Sequence, residues 1–513
     1  MLEVRNISIK KITEDRELIR NLSFILNKND KYAIVGLEGS GKSTLLKVIN
    51  GYGNLDYIET TGIVQKDRVR LGYLPQSIKE DWYEYNIIDY LLKKDKNTDI
   101  DFDDYSLLSM LDKTLNYVKF DTTIFDDSKK VGEYSGGEVV KLGLVKLLIR
   151  EPNVLLLDEP TNDLDLETIL FLEEFIKNEV RPILFISHDE ALLENTANGI
   201  IHLVQTHKKT KAVSIFEKSS YTDYKQKRKL RLDSEEMVAK KQRSDFKKKM
   251  ERYRQIFQKV EHLQNQTVRN PSAARLLAKK VKSLKSTEKR YQKEQENFTS
   301  IPEREEEINI FFSEKVKIPN NKTVIEYYKE ALEVEGRVLS QGISLTVKGP
   351  EKIAIIGKNG SGKTTLLKDI YSKLKTRKDI KVGYMSQDYD EQLCGSKIAL
   401  DILLDEPDKK KEAKVRKIMG ALHFTREEML YNQTDLSGGQ KAKLLLLKMV
   451  LDDANVLILD EPTRNLSPLS IPVIHDLLLK YKGAIISVTH DRNFIENVFD
   501  VVYVLDQDTL KKL

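Results

Sequence analysis

Only one cysteine stands among 513 residues. Cys394 can form neither an intrachain disulfide nor a thiolate metal cage, and such sparing use of thiols fits a reducing compartment. Cys394 itself reads as an ordinary buried or half-buried small residue. Long hydrophobic runs are missing as well. No apolar stretch approaches the ~18–20 residues that cross a bilayer, and the opening residues do not form a basic segment followed by an apolar one. The expectation is a soluble, cytoplasmic protein with no membrane insertion. Proline and glycine are absent from Thr222–Leu263, and acidic residues are scarce around it. From Lys218 to Lys293 there are 24 Lys and Arg against 8 Asp and Glu, a net of +16, whereas the rest of the chain carries 61 against 72, a net of −11. The overall charge of +5 therefore hides two parts of opposite sign.

The length allows two large domains or three smaller ones, and 40% apolar residues suffice for ordinary cores. The chain is organised around Leu436–Asn465, LSGGQKAKLLLLKMVLDDANVLILDEPTRN. A Ser-Gly-Gly-Gln turn opens a Lys-rich amphipathic run of helical spacing, and an apolar strand, Val456–Leu459, ends in Asp460-Glu461-Pro462. A carboxylate pair at the end of a buried strand, facing a glycine-rich loop, is what Mg²⁺-dependent phosphate chemistry requires. Asp460 can hold the metal directly or through water, and Glu461 can polarise an attacking water. The loop lies upstream: after the apolar strand Ile353–Ile356 comes Gly357-Lys358-Asn359-Gly360-Ser361-Gly362-Lys363-Thr364-Thr365, a full GxxxxGK[ST].

Both parts recur in the first half. Tyr32–Val35 leads into Gly36-Leu37-Glu38-Gly39-Ser40-Gly41-Lys42-Ser43-Thr44, and Val154–Leu157 leads into Asp158-Glu159-Pro160. Lysine to glutamate spans 117 residues in the first copy (42 to 159) and 98 in the second (363 to 461). Glutamate to a histidine after the next β-rich run (Ile183–Ser187, Ala484–Thr489) spans 29 in both, Glu159 to His188 and Glu461 to His490. Between these landmarks lie Tyr73-Leu74-Pro75-Gln76 and Tyr384-Met385-Ser386-Gln387, then Ser135-Gly136-Gly137-Glu138 and Ser437-Gly438-Gly439-Gln440. The first copy carries ten extra residues before its glutamine, around Gly51–Val64, and nine after it. A repeat of this length means two homologous domains rather than a solenoid. Strands alternating with helical patterns predict an α/β fold with a helix-flanked parallel sheet in each copy.

In each loop, glycines let backbone N–H groups converge on phosphate oxygens at a helix N-terminus. The candidate nucleotide-binding residues are Gly36, Gly39, Ser40, Gly41, Lys42, Ser43 and Thr44, with Gly357, Asn359, Gly360, Ser361, Gly362, Lys363, Thr364 and Thr365 in the second copy. The lysines reach the terminal phosphates, while Ser43 and Thr364 offer hydroxyls to Mg²⁺ beside Asp158 and Asp460. Glu159 and Glu461 are the candidate catalytic carboxylates. His188 and His490 would ordinarily be satisfied core or surface histidines, but their identical spacing points to a switch that contacts the γ-phosphate and aligns water. Gln76 and Gln387 are either metal and water contacts or turn residues.

Phosphate loop, glutamine loop, SGGQ signature, LLLDEP strand, D-loop and switch histidine, in that order and twice, resemble the ATP-binding cassette ATPases. Two cassettes on one chain with a charged helical linker resemble the ABC-F group, whose members act on the ribosome. The resemblance implies two P-loop ATP-binding cassette domains, 1–217 and 302–513, joined by a helical-hairpin linker, 218–301. It implies ATP and Mg²⁺ as cofactors, and a monomer whose cassettes pair head to tail. ATP on Lys42 would be closed over by Ser437, Gly438, Gly439 and Gln440, and ATP on Lys363 by Ser135, Gly136 and Gly137. Three departures stand out. Glu138 replaces the signature glutamine and is expected to add a carboxylate near the Lys363 site. Ser467 stands where Asp165 does in the first D-loop, so unequal turnover at the two sites is expected. The insert after Gln76 is short, so the long arm of some group members is absent.

Thr222–Leu263 reads as one long helix. Asn270-Pro271-Ser272 breaks it, and Ser272 is placed as the cap of a second helix running to about 297. Some 40 residues at 1.5 Å each reach about 60 Å, so the hairpin projects and docks on something. A charge run is ordinarily a solvated face; here Tyr224, Phe246, Tyr253, Phe257 and Tyr291 interleave with it, and the surface reads as phosphate-tracking with the aromatics as hairpin core. The resemblance implies entry into the ribosomal tRNA exit site, with rRNA and P-site tRNA as partners. The turn His262–Ser272 would be the tip, and Gln264, Asn265, Gln266 and Arg269 its polar contacts. Relief of stalling and antibiotic protection both remain open, the short arm leaning to the latter. An ATPase subunit of a membrane transporter would leave the basic hairpin unexplained. A DNA-repair cassette protein would need far longer coiled coils and zinc-hook cysteines.

Overall fold

The structure is a computed structural model that describes residues 1–13, 15–51, 55–66, 68–93, 105–120, 129–162, 164–206, 211–266, 271–296, 298, 312–313, 316–334, 336–393, 398–404, 408–422, 424–464, 466–506 and 509–513. Cys394, Arg269 and the side chains of Gln264, Asn265, Gln266 and Ser272 lie outside the described residues. The chain forms two compact units, Met1–Tyr221 with Glu305–Leu513, and Thr222–Arg304.

Each cassette of the first unit is built on a six-stranded sheet of one design. The first runs in the order Leu71–Leu74, Val154–Asp158, Ile183–Ile186, Lys31–Gly36, Gly199–Thr206 and Lys211–Glu217, parallel except for its last strand. The second repeats it with Val382–Met385, Val456–Asp460, Ala484–Val488, Lys352–Ile356, Val501–Leu505 and Leu510–Lys512. The carboxylate strands are buried along their whole length, as continuous apolar runs must be when helices cover both faces of a parallel sheet. Leu45, Leu46 and Ile49 of helix Lys42–Asn50, and Leu366, Leu367 and Ile370 of helix Lys363–Lys375, close one face of each sheet. Because the strands are parallel, the phosphate loop, the carboxylates and the switch histidine all leave the same sheet edge. This carboxyl edge is where open α/β sheets bind ligands.

The ten-residue surplus of the first copy has a structural role. Ile58–Gln65 pairs antiparallel with Leu2–Lys11, which also pairs with Arg16–Leu26, giving a three-stranded sheet. In the second cassette, Thr323–Val334 and Arg337–Lys348 form only a two-stranded sheet among the described residues.

The second unit is an antiparallel hairpin of helices Tyr221–Gln266 and Pro271–Glu296. The first helix has 46 residues, or ~69 Å at 1.5 Å per residue, slightly longer than the sequence suggested. Ser272 lies inside the first turn of the second helix. That helix begins at Pro271, whose missing N–H costs nothing in the first turn and whose fixed φ suits it. The seam is aromatic: Phe246 meets Tyr291 and Phe298 edge-on at 6.4 and 5.3 Å, and Tyr253 meets Tyr291 at 6.5 Å and Phe257 at 5.9 Å. The Tyr253 hydroxyl donates to Glu288 at 3.0 Å, and Lys249 pairs with Glu294 at 2.6 Å. Phe246, Tyr253 and Tyr291 thus hold the two helices together, and Phe257 packs on Tyr253 along the first helix.

Tyr253→Ala removes the buried centre of this seam and should cost ~3 kcal/mol locally. The check is hydrogen exchange: amides of both helices should exchange faster while the cassette sheets keep their protection. Unchanged exchange in the hairpin would mean the seam does not hold it.

Candidate active site

Each phosphate loop is forced by close backbone packing. A Cβ on Gly36 would lie 2.5 Å from the Leu203 carbonyl oxygen, and one on Gly357 would lie 2.3 Å from that of Leu505, in the neighbouring strand. Only glycine can pass there. The loop then turns into the helix that starts at Lys42 or Lys363. The ammonium of Lys42 donates back to the carbonyls of Gly36 (3.1 Å) and Leu37 (3.3 Å), and that of Lys363 to Gly357 (2.7 Å) and Lys358 (2.8 Å). Burial pushes the Lys363 pKa down, against the pull of Glu461, Asp165 and Asp460. Ser40 and Ser361 leave buried hydroxyl oxygens with no hydrogen-bond partner inside their loops.

At the first site the carboxylates are fully engaged. Ser43 Oγ donates to Asp158 at 2.9 Å, and the Tyr73 hydroxyl donates to its other oxygen at 2.9 Å. Glu159 receives Gln76 Nε2 at 2.8 Å and Asn162 Nδ2 at 2.7 Å, and its second oxygen lies 3.1 Å from His188 Nε2. Burial opposes ionisation of Glu159, but His188, Lys42 and Asn162 outweigh it and hold the pKa down at about 2. The other ring nitrogen of His188 meets the Leu466 carbonyl of the second D-loop at 2.5 Å. One cassette's switch histidine is therefore seated by the other cassette.

The second site is looser, and two of its parts differ: Thr364 stands for Ser43 and Arg464 for Asn162. Neither oxygen of Asp460 makes a hydrogen bond of good geometry, and Glu461 Oε1 and His490 Nδ1 are also buried without one. His490 Nε2 lies 3.6 Å from Glu461, whose other oxygen accepts from the His490 backbone at 3.4 Å. Burial, with Asp460 alongside, pushes Glu461 up to about 8, and burial with Lys363 nearby pushes His490 down to about 4. Both are thereby neutral near pH 7, and the contact is not an ion pair. A cavity of about 680 Å³ opens here, lined by Lys363, Thr364, Gln387, Asp460, Glu461 and His490 and, from the first cassette, by Asn162, Leu164 and His188. Ser135, Gly136 and Gly137 do not line it.

Two features of the carboxylates went unread in the sequence. Glu159 and Glu461 both sit at left-handed φ, 49° and 50°, a strained setting for a long side chain and one concentrated at functional sites. Tyr73 was also missed, although a tyrosine three residues before the glutamine in both copies was the available signal. Its counterpart, the Tyr384 hydroxyl, is buried without a partner beside Asp460.

The signature helices Gly136–Leu148 and Gly438–Leu451 open with capping boxes. Glu138 folds back on Ser135, accepting from its N–H at 2.7 Å and its hydroxyl at 2.8 Å, as Gln440 accepts from the Ser437 N–H at 2.9 Å. The carboxylate expected near the Lys363 site is spent on the cap, because glutamate and glutamine offer the same acceptor oxygen at that position. Further bonds join the cassettes. Asp165 accepts from the Asn359 N–H at 3.5 Å, Glu38 accepts from Gly438 and Gly439 at 3.2 and 2.7 Å, and Arg492 pairs with Glu173 at 2.7 Å and Asp189 at 3.5 Å.

The residues present fit a nucleotide with a divalent cation. Orphaned Asp460 oxygens beside Thr364, and Ser43 against Asp158, are hydroxyl–carboxylate pairs suited to an oxygen-seeking cation. Among the described residues no group of three or more His, Cys, Asp or Glu could cage a metal alone. A carboxyl whose pKa rises on folding stabilises the fold less as pH climbs from its ordinary 4.5 toward the raised value of about 8. In the metal- and nucleotide-free protein this loss runs at up to ~1.4 kcal/mol for each pH unit. Glu461→Gln should therefore flatten the fall in melting temperature between about pH 5 and 8. Parallel pH slopes for variant and wild type would refute the assignment.

Comparison with known proteins agrees with this geometry. The ABC transporter family model matches residues 19–162 and 340–464. The chain is 31% identical over 509 residues to the ATP-binding protein Uup of Buchnera aphidicola, covering 97% of this chain and 79% of the relative. It is 26% identical to ABC transporter F family member 5 of Arabidopsis thaliana, over 98% and 75% of the two chains. The fold matches an archaeal ribosome recycling factor, aABCE1, solved with the ribosomal stalk protein aP1, at a TM-score of 0.60 and 16% identity over 99% of this chain and 90% of that one. Among the described residues no helix is long and apolar enough to cross a membrane. Two complete phosphate loops, each with its carboxylates on the same sheet edge, make the chain a tandem-cassette ATPase of the ATP-binding cassette family, in its ABC-F group.

Proposed function

We propose that this ATPase is a ribosome-acting factor, in which ATP brings the cassettes together and the hairpin works on the tRNA exit site, the P-site tRNA and the peptidyl transferase centre. The observation that carries the reading is the hairpin. It concentrates a net +16 between Lys218 and Lys293, while its aromatics are turned into its own seam, leaving a cationic exterior suited to tracking phosphates. The fold shared with a ribosome recycling factor supports the same direction. Relieving stalls and displacing ribosome-bound antibiotics are two outcomes of one act at that site. The working parts in this reading are cassettes 1–217 and 302–513 and linker 218–301, in a cytoplasmic monomer.

The proposed roles follow from the geometry. Lys42 and Lys363 exchange their loop carbonyls for terminal phosphate oxygens. Ser43 with Asp158, and Thr364 with Asp460, would hold Mg²⁺, with Gln76 and Gln387 beside them. When bound, the ion neutralises charge building on the phosphates. Glu159 and Glu461 orient and polarise the attacking water, and His188 and His490 set its alignment. At the first site Glu159 is already ionised, placed to orient the water more than to take its proton. At the second, burial first and Asp460 next raise the Glu461 pKa in the nucleotide-free protein.

The test uses Glu159→Gln with Glu461→Gln, which should bind ATP without splitting it, in co-sedimentation with 70S ribosomes. Pelleting should require ATP and should vanish when residues 218–297 are replaced by a short linker. Loss of ribosome binding should also follow rising salt steeply, as phosphate contacts demand. No pelleting in any nucleotide state would sink the ribosome reading and redirect the search to a permease partner.

A further inference from the structure

The two phosphate loops differ at their third position, Glu38 in the first and Asn359 in the second. Glu38 reaches across to the second cassette. One oxygen accepts from the Gly438 N–H at 3.2 Å and the other from the Gly439 N–H at 2.7 Å. These are the first two amides of the 14-residue helix Gly438–Leu451, and the next, that of Gln440, is already taken by the Ser437 hydroxyl at 3.4 Å. Amides at the positive end of a helix form a ready anion seat, and two N–H donors on one carboxylate make a charge-assisted pair.

The second site is linked in the opposite sense. There the D-loop carboxylate Asp165 accepts from the Asn359 backbone, and the loop side chain supplies no anion. At the first site the D-loop position equivalent to Asp165 is Ser467, buried and bonded to Ser470 at 3.0 Å. The first site has therefore exchanged a D-loop carboxylate for a loop carboxylate, and the latter sits on the signature amides.

We propose that Glu38 is a resident surrogate for the γ-phosphate: it fills the signature amides of the second cassette until ATP on Lys42 displaces it. Carboxylate and γ-phosphate cannot share two amides, since each needs both donors and both are negative. ATP capture at Lys42 thus requires Glu38 to leave, whereas ADP, with no γ-phosphate, leaves it in place. Once the γ-phosphate departs after hydrolysis, Glu38 returns to the amides and competes with the next ATP. The second site has no such gate. The inference rests on ATP binding at Lys42 opposite the second signature, as the family resemblance implies, and not on the ribosome as target.

The experiment measures ATP and ADP binding to the full chain in the Glu159→Gln, Glu461→Gln background, with Lys42→Ala identifying the first site's share. An apparent affinity falls by the fraction of molecules whose site is open. Glu38→Asn, which installs the residue the second loop uses, should tighten ATP at the Lys42-dependent site by about tenfold and leave ADP within about twofold. Glu38→Gln, of the same length without the charge, should shift ATP in the same direction. An unchanged or weaker ATP affinity in both variants overturns the proposal, and so does an equal shift for ATP and ADP. A single bound ATP equivalent whether or not Lys42 is present overturns the reading of the first site itself, and the surrogate with it.

Discussion

A carboxylate at the end of a fully buried strand has to be answered by donors, by a cation or by a proton, and much of this molecule is arranged around that demand. Asp158 and Asp460 end strands buried from first residue to last, and Glu159 and Glu461 follow them in left-handed backbone. In the first cassette the answer is protein: a serine, a tyrosine, a glutamine, an asparagine and a histidine close on the pair. In the second, Thr364 stands for Ser43 and Arg464 for Asn162, the set does not close, and burial with Asp460 alongside pushes the Glu461 pKa up. The difference is one of assembly as well as composition.

The missing assembly comes from outside the cassette. His188 is held against Glu159 partly because Leu466, in the opposite D-loop, offers its carbonyl. His490 has no such partner for its Nδ1. Catalytic alignment at one site is thus a property of the interface, and a rotation of one cassette on the other would change donors at both sites. This is the physical basis on which nucleotide binding can be converted into motion: the γ-phosphate contributes bonds only when the opposite cassette is in position to receive it.

The hairpin is built on a different principle. With no sheet to cover, it packs its aromatics against each other and leaves most of its lysines and arginines in water, Arg228 being buried. Its stability and its charge are therefore separable: the seam can be weakened without touching the cationic face, and the face altered without touching the seam.

Much was legible in the chain alone, and particular residues show why. The strands that lead to Lys42, Asp158 and His188 lie within a residue or two of where their apolar runs put them, because a buried parallel strand must be apolar throughout. The glycine loops and the two helices of the hairpin are equally local, set by spacing, by proline and by the absence of glycine. What sequence misjudged was also local, but depended on competition between neighbours. Pro271 rather than Ser272 begins the second helix, and Glu138 caps its own helix in place of facing a nucleotide. The surplus before Gln76 became a third strand only because Leu2–Lys11 had a free edge to pair with. Glu38 on Gly438 and Gly439, and Leu466 on His188, could not be read at all. Those partners stand 400 and 278 residues apart, and only the packing of one cassette on the other decides whether they meet. Chemistry that needs one segment was written in the sequence; chemistry that needs two surfaces was decided by the tertiary structure.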